Sequence, residues 1–264
     1  MKAVVKSFAI TFGCLLLAAC ATSPTGRTQL MVFPESSAIA ASKQAYSEML
    51  TPLAEENKLN NDPALERRVD AIVERIKAQA VVMRPDTRDW NWEMTIIDDP
   101  KTVNAWAMAG GKMALYSGLV QQLEPSDDEL AQVLAHELAH ALAKHSVEKM
   151  SVAAATNVGV QTVGVATGSG LAMQGSALLA ALAVSLPNSR SMETEADRIG
   201  IELAAKAGYD PRAAVTLWEK MGALGSRSQP QFLSTHPHPA TRQAALTELV
   251  PQMMPFYEQA RAAR

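Results

Sequence analysis

The chain has 264 residues, enough for one or two domains with a substantial core, and sets 24 basic against 27 acidic side chains for a formal charge of −3. With no basic surplus, nothing in the composition asks for a nucleic-acid partner. Hydrophobic residues make up 48% and aromatics only 5%, so alanine, valine and leucine in helices must build most of the core, and an α-rich domain is expected.

Residues 1–19 read as a signal peptide. Lys2 and Lys6 form a basic start, Phe8 to Ala18 an apolar stretch, and Leu17-Ala18-Ala19-Cys20 resembles the lipobox of bacterial lipoproteins. Cleavage before Cys20 would make it the lipidated first residue and remove Cys14, leaving no thiol for a disulfide. Ala21 stands where an inner-membrane retention signal would carry aspartate. The expected location is therefore the bacterial outer membrane, lipid-anchored through Cys20 and facing the periplasm. Residues 20–35, rich in Pro, Gly, Ser and Thr, read as a lipidated tether whose apolar end, Leu30 to Phe33, docks on the domain formed by 36–264.

Two packing helices follow, Ser36 to Glu56 and Pro63 to Val82. In the second, Leu65, Val69, Ile72, Val73 and Ile76 form an apolar stripe opposite charges. Trp92 to Ile97 reads as a strand stopped by Asp98-Asp99-Pro100, and residues 103–120 as two strands around a Gly110-Gly111 turn. Asn104, Ala105, Trp106, Ala107 and Met108 are the candidate edge on which an extended peptide could add as a further strand. The bland reading of the same hairpin is scaffold. After a helical turn at Leu119 to Leu123, Ser126 and Glu129 match a capping box that opens a helix running to about Lys149.

That helix carries His136-Glu137-Leu138-Ala139-His140. Histidines four apart project from one face and can reach one metal ion, and a glutamate turned about 100° from the first is placed to take a proton from water. His145, turned about 140° from His140 on a continuous helix, reads as a helix-end or surface histidine. Residues 151–187 are apolar, glycine-interrupted and uncharged. They suit one or two helices closing over the site as a lid or plug, with a membrane hairpin as the alternative. Beyond them Glu193 and Asp197 share a helix face. Zinc enzymes that open with H-E-x-x-H often take a third ligand from a later helix, so Glu193 is assigned to the metal. Asp197 is assigned to orient a ligand imidazole, with His140 as the expected partner. Glu195 points elsewhere.

HELAH together with SRSMETEADRIG resembles the Ste24/HtpX-type zinc endopeptidase family, and NAWAMAGGKMALYSGLV resembles the strand preceding its zinc helix. The lipobox makes the chain similar to the short periplasmic lipoprotein members. The resemblance implies one zinc ion, and places His236, in Ser234-Thr235-His236-Pro237, on a loop near the metal. There it would act either as a regulatory ligand or as a transition-state hydrogen-bond donor, with His238 a weaker substitute. The expected fold is α+β, mostly α-helical, a zincin domain with a small β-sheet beside the active-site helix. The expected function is endoproteolysis of unfolded or misassembled cell-envelope proteins, with Glu137 as base. The rivals are a latent or chaperone-like client-binding lipoprotein and a zinc-storing structural one.

Overall fold

The computed structural model describes residues 20–164, 187–225, 230–236 and 239–263. Cys20–Thr22 (β1) and Thr28–Leu30 (β2) pair antiparallel in a small hairpin at the start of the chain. Residues 1–19 lie outside the described part, and so do residues 165–186, which hold most of the stretch expected to form a lid or membrane hairpin. Among the described residues no helix is long and apolar enough to cross a membrane.

Glu35–Glu55 (α1) and Pro63–Met83 (α2) fall within a residue of their expected limits. The start of α2 is fixed by Asp62, whose carboxylate accepts from the Ala64 and Leu65 N–H groups, and by Pro63, which gives up an N–H that would have no helical partner. Glu93–Ile97 (β3), Ala105–Met108 (β4) and Lys112–Tyr116 (β5) form one sheet in the order β3-β5-β4. The β4–β5 connection, Ala109 to Gly111 between the paired Met108 and Lys112, holds Gly110 at φ 82° and Gly111 at φ 80°, positive values that side chains resist. β3 then joins the other side of β5 in parallel. Among the described residues β4 is an edge, with β5 as its partner strand.

Ser117–Leu123 (α3) leads into Asp127–Leu142 (α4). The capping box at Ser126 and Glu129 is formed, and every residue from Glu129 to Leu142 is buried. Each leucine there contributes roughly 2 kcal/mol of apolar burial, and the helix is the pillar of the core. It packs against β4, α2 and the helices Arg190–Lys206 (α6) and Ala213–Gly225 (α7). Short Gln231–Thr235 (α8) precedes the final helix Pro239–Ala262 (α9), which lies on α6 and α7. The mostly helical α+β fold expected from the sequence is the fold observed.

One helix boundary differs. The helix expected to run to about Lys149 ends at Leu142, Lys144 takes a left-handed φ of 59°, and a new helix, His145–Gly164 (α5), starts beyond it. A single residue in that conformation breaks the 3.6-residue phase. Everything after it is therefore aimed differently from a continuous helix.

Candidate metal centre

His136 and His140 lie one turn apart on the buried face of α4, with their Nε2 atoms 3.1 Å apart. Glu193, in the first turn of α6, places carboxylate oxygens 3.4 Å from each of those nitrogens. His236 closes the group from the end of α8, with Nδ1 3.0 Å from Glu193 Oε1 and 3.3 Å from His136 Nε2. Its ring is stacked on Phe232 at 4.4 Å between centroids. Four donor atoms thus lie within 4.8 Å of one another, all on buried residues. Donors of a tetrahedral zinc, each about 2.0–2.1 Å from the metal, stand about 3.3–3.4 Å apart. The spacing and the two-imidazole, one-carboxylate set therefore fit zinc.

α6 comes this close because of Gly200. A Cβ there would sit 2.9 Å from the His136 Cα and 3.0 Å from its nitrogen, so only glycine allows the helices to touch backbone to backbone. The crossing also decides which histidine Asp197 serves. The sequence pointed to His140, but Asp197 lies one turn past Glu193 toward the Gly200 contact, and its Oδ1 is 3.1 Å from His136 Nδ1. Arg242, on α9, donates from Nε to Asp197 Oδ2 at 2.8 Å, pairs through Nη2 with Asp197 Oδ1, and sets Nη1 2.6 Å from Glu193 Oε2. Its guanidinium also lies 3.9 Å over the Trp218 ring. Sequence reading gave Arg242 no role, since only the fold brings the start of the last helix against Glu193 and Asp197.

The other corrected residue is His145. It is 1% exposed rather than on the surface, and its Nδ1 lies 2.8 Å from His140 Nδ1. Its Nε2 faces Glu195 Oε2 at 3.1 Å. The break at Lys144 turns it inward, which a continuous helix would not do. Glu195 does point away from the four-donor cluster, as expected, but toward the rear of His140.

Burial and Arg242 push the His136 imidazole down, while Asp197 and Glu193 more than offset them and hold it at about 9. Burial pushes His140 well below the ordinary imidazole value. Glu193 is lowered strongly: burial alone would raise it, but His236, His136 and His140 outweigh that. Glu137 is raised by burial, in part countered by His236 and His136. Its Oε1 makes no hydrogen bond among the described residues and lies 3.3 Å from His236 Nε2. A buried carboxylate oxygen that makes no hydrogen bond beside a metal-type cluster is suited to accept a proton from something that enters.

Of the candidate edge, Ala105 to Met108 form β4 and Asn104 precedes it, and none of the five is more than 5% exposed. The Phe232 N–H donates to the Val103 carbonyl at 3.1 Å, which brings the segment bearing His236 against the start of that strand. Cys20 is the first residue of β1. His238 lies outside the described residues.

The family model described as Peptidase family M48 matches residues 63–250. Among curated relatives, mitochondrial metalloendopeptidase OMA1 of Schizosaccharomyces pombe is 40% identical over 166 residues, 62% of this chain and 48% of that protein. The Arabidopsis thaliana OMA1 is 35% identical over 66% of this chain and 35% of its own length. The beta-barrel assembly-enhancing protease of Escherichia coli K12 is 32% identical over 76% of this chain and 42% of its own. The chain thus spans half or less of these relatives. The OMA1 relatives are named mitochondrial, and this overturns the bacterial outer-membrane location expected from the N-terminus. A basic, apolar leader marks export or targeting, but its physics alone does not name the membrane.

Proposed function

This chain belongs to peptidase family M48, and we propose that it is a zinc-dependent endopeptidase in which His136, His140 and Glu193 hold the metal and Glu137 is the general base. The observation that carries this reading is the buried four-donor cluster with a Glu137 oxygen at its edge that makes no hydrogen bond among the described residues. Zinc, when bound, supplies the Lewis acid that makes water a nucleophile near neutral pH and polarises a peptide carbonyl. Glu137 accepts the proton of the attacking water at Oε1 and passes it to the departing amine. Its raised pKa suits both halves of that task, since a base that must also act as an acid works best when it is not too weak. Asp197 and Arg242 hold His136 and Glu193 in place.

Substrate backbone is proposed to add along β4, the outer strand of the described sheet, once that buried strand is uncovered. The substrates proposed are unfolded or misassembled proteins, whose extended segments can pair with such an edge.

A second reading, latency, is favoured by one observation: His236 supplies the fourth donor. A closed four-ligand site is structural in character, whereas catalysis needs one position open to water. In the resting chain His236 would fill that position, and its release would start turnover.

The test compares zinc content and casein cleavage for wild type, Glu137→Gln and His236→Ala. One zinc in all three is expected, with cleavage abolished in Glu137→Gln and raised severalfold in His236→Ala. Turnover by Glu137→Gln would sink the base assignment, and a large loss in His236→Ala would make His236 a transition-state donor.

A further inference from the structure

The hydrogen bonds of His140 lead out of the site and end on the N-terminal hairpin. With His140 Nε2 turned to the four-donor cluster, its ring proton belongs on Nδ1, facing His145 Nδ1 at 2.8 Å. His145 then accepts at Nδ1 and carries its own proton on Nε2, which faces Glu195 Oε2 at 3.1 Å. Glu195 is held in turn. Arg27 Nε donates to its Oε2 at 2.7 Å, and the Thr25 hydroxyl donates to its Oε1 at 2.5 Å. The two remaining Arg27 nitrogens make a two-pronged pair with Glu148 at 2.7 and 2.6 Å. Gln29, on β2, donates to Glu148 at 2.8 Å and to the Ala143 carbonyl at 2.7 Å. The hairpin therefore fastens both sides of the Lys144 break, the feature that turns His145 inward.

One assignment of protons satisfies every step of this chain, and no group in it is left as donor against donor. Two buried carboxylates, Glu148 and Glu195, are expensive to keep without a cation. An apolar side chain at 145 would fill the same space without requiring either. We propose that His145 and Glu195 are positioning residues that fix the tautomer and ring angle of His140, and that Arg27 makes residues 20–30 part of the metal site's support. This rests on the reading of His140 as a metal ligand. Outer partners of this kind typically alter metal affinity about 10–100-fold.

The experiment measures zinc affinity of the full-length chain by competition with a chromophoric chelator, beside the melting temperature of the metal-free protein. His145→Leu keeps the volume but has no acceptor, and is expected to weaken zinc binding about 10–100-fold. His145→Asn keeps an acceptor oxygen near the place of Nδ1 and should recover most of that loss. Arg27→Ala, which removes a hydrogen bond to Glu195 rather than to either histidine, should weaken binding by no more than the low end of that range, about tenfold. Leu and Asn variants equally weak would show that position 145 only fills space and would overturn the proposal. So would wild-type affinity in His145→Leu. Should that variant not fold, a folded Arg27→Ala with unchanged affinity overturns the proposal by itself. Absence of zinc from the wild type would be a different failure, that of the metal site, visible before any variant is made.

Discussion

The two histidines of α4 are four residues apart and both turn Nε2 toward the same point, yet they are backed in different ways. His136 rests directly on Asp197, whose charge is met by Arg242 from the C-terminal helix. His140 rests on a second imidazole, His145, which passes the contact to Glu195 and then to Arg27 from the N-terminal hairpin. Both backing carboxylates come from α6, two residues and so about 200° apart around the helix, and one helix serves both ligands from nearly opposite faces. The difference is length. A direct carboxylate gives a charge-assisted contact with no intermediate link, whereas a contact passed through an imidazole depends on a segment outside the core and can be loosened from there.

The sharpest way to break this comparison is Asp197→Ala. It leaves the Arg242 side chain, 5% exposed, without its main partner, and removing one member of a buried pair costs roughly 3–5 kcal/mol. The expected result is a large fall in denaturant midpoint together with weaker zinc binding. A loss no greater than that of Glu195→Ala would mean that the direct support is not the stronger one.

Gly200→Ala acts on one side more than the other. Its Cβ would meet the His136 backbone at 2.9 Å, and backbone cannot swing aside as a flexible side chain can. Overpacking of this kind costs about 1–3 kcal/mol. The displaced α6 should carry Glu193 and Asp197 away from His136, so zinc affinity should fall with stability. Full affinity in a destabilised variant would show that the close crossing serves packing alone.

Much of this was legible in the sequence, for reasons that are local. The His136–Glu137–His140 spacing, the Ser126 capping box, the Gly110-Gly111 turn and the apolar stripe of α2 each depend on residues within one or two turns of each other. What escaped depended on where distant segments meet. Asp197 went to the wrong histidine because the partner is chosen by the Gly200 crossing. His145 looked superficial because nothing in Ala143-Lys144-His145 announces a left-handed residue, and lysine is a poor signal for one. Arg27 lay in a stretch that read as tether, more than a hundred residues from the groups it holds. A glycine in the middle of the 190–206 helix was the one available hint, since it weakens a helix unless close approach repays it.

The smallest expected effect provides the control that both supports need. Glu129 sits at the far end of α4, where its carboxylate accepts from the Ser126 N–H and from Thr216 and pairs with Lys220. Burial would raise its pKa, but Lys220, the Ser126 backbone and Thr216 together leave it lowered. A carboxylate lowered on folding binds fewer protons in the native state than in the unfolded one. Its stabilisation is therefore complete above the unfolded value of about 4.3 and is lost as pH falls through the folded value. Glu129→Gln should cost about 1 kcal/mol at pH 7, flatten the acid side of the melting-temperature profile, and leave zinc affinity unchanged. Asp197→Ala and His145→Leu should instead lower zinc affinity at pH 7. If Glu129→Gln also released zinc there, any loosening of α4 would suffice to empty the site, and the losses seen at His136 and His140 would no longer report on their separate supports.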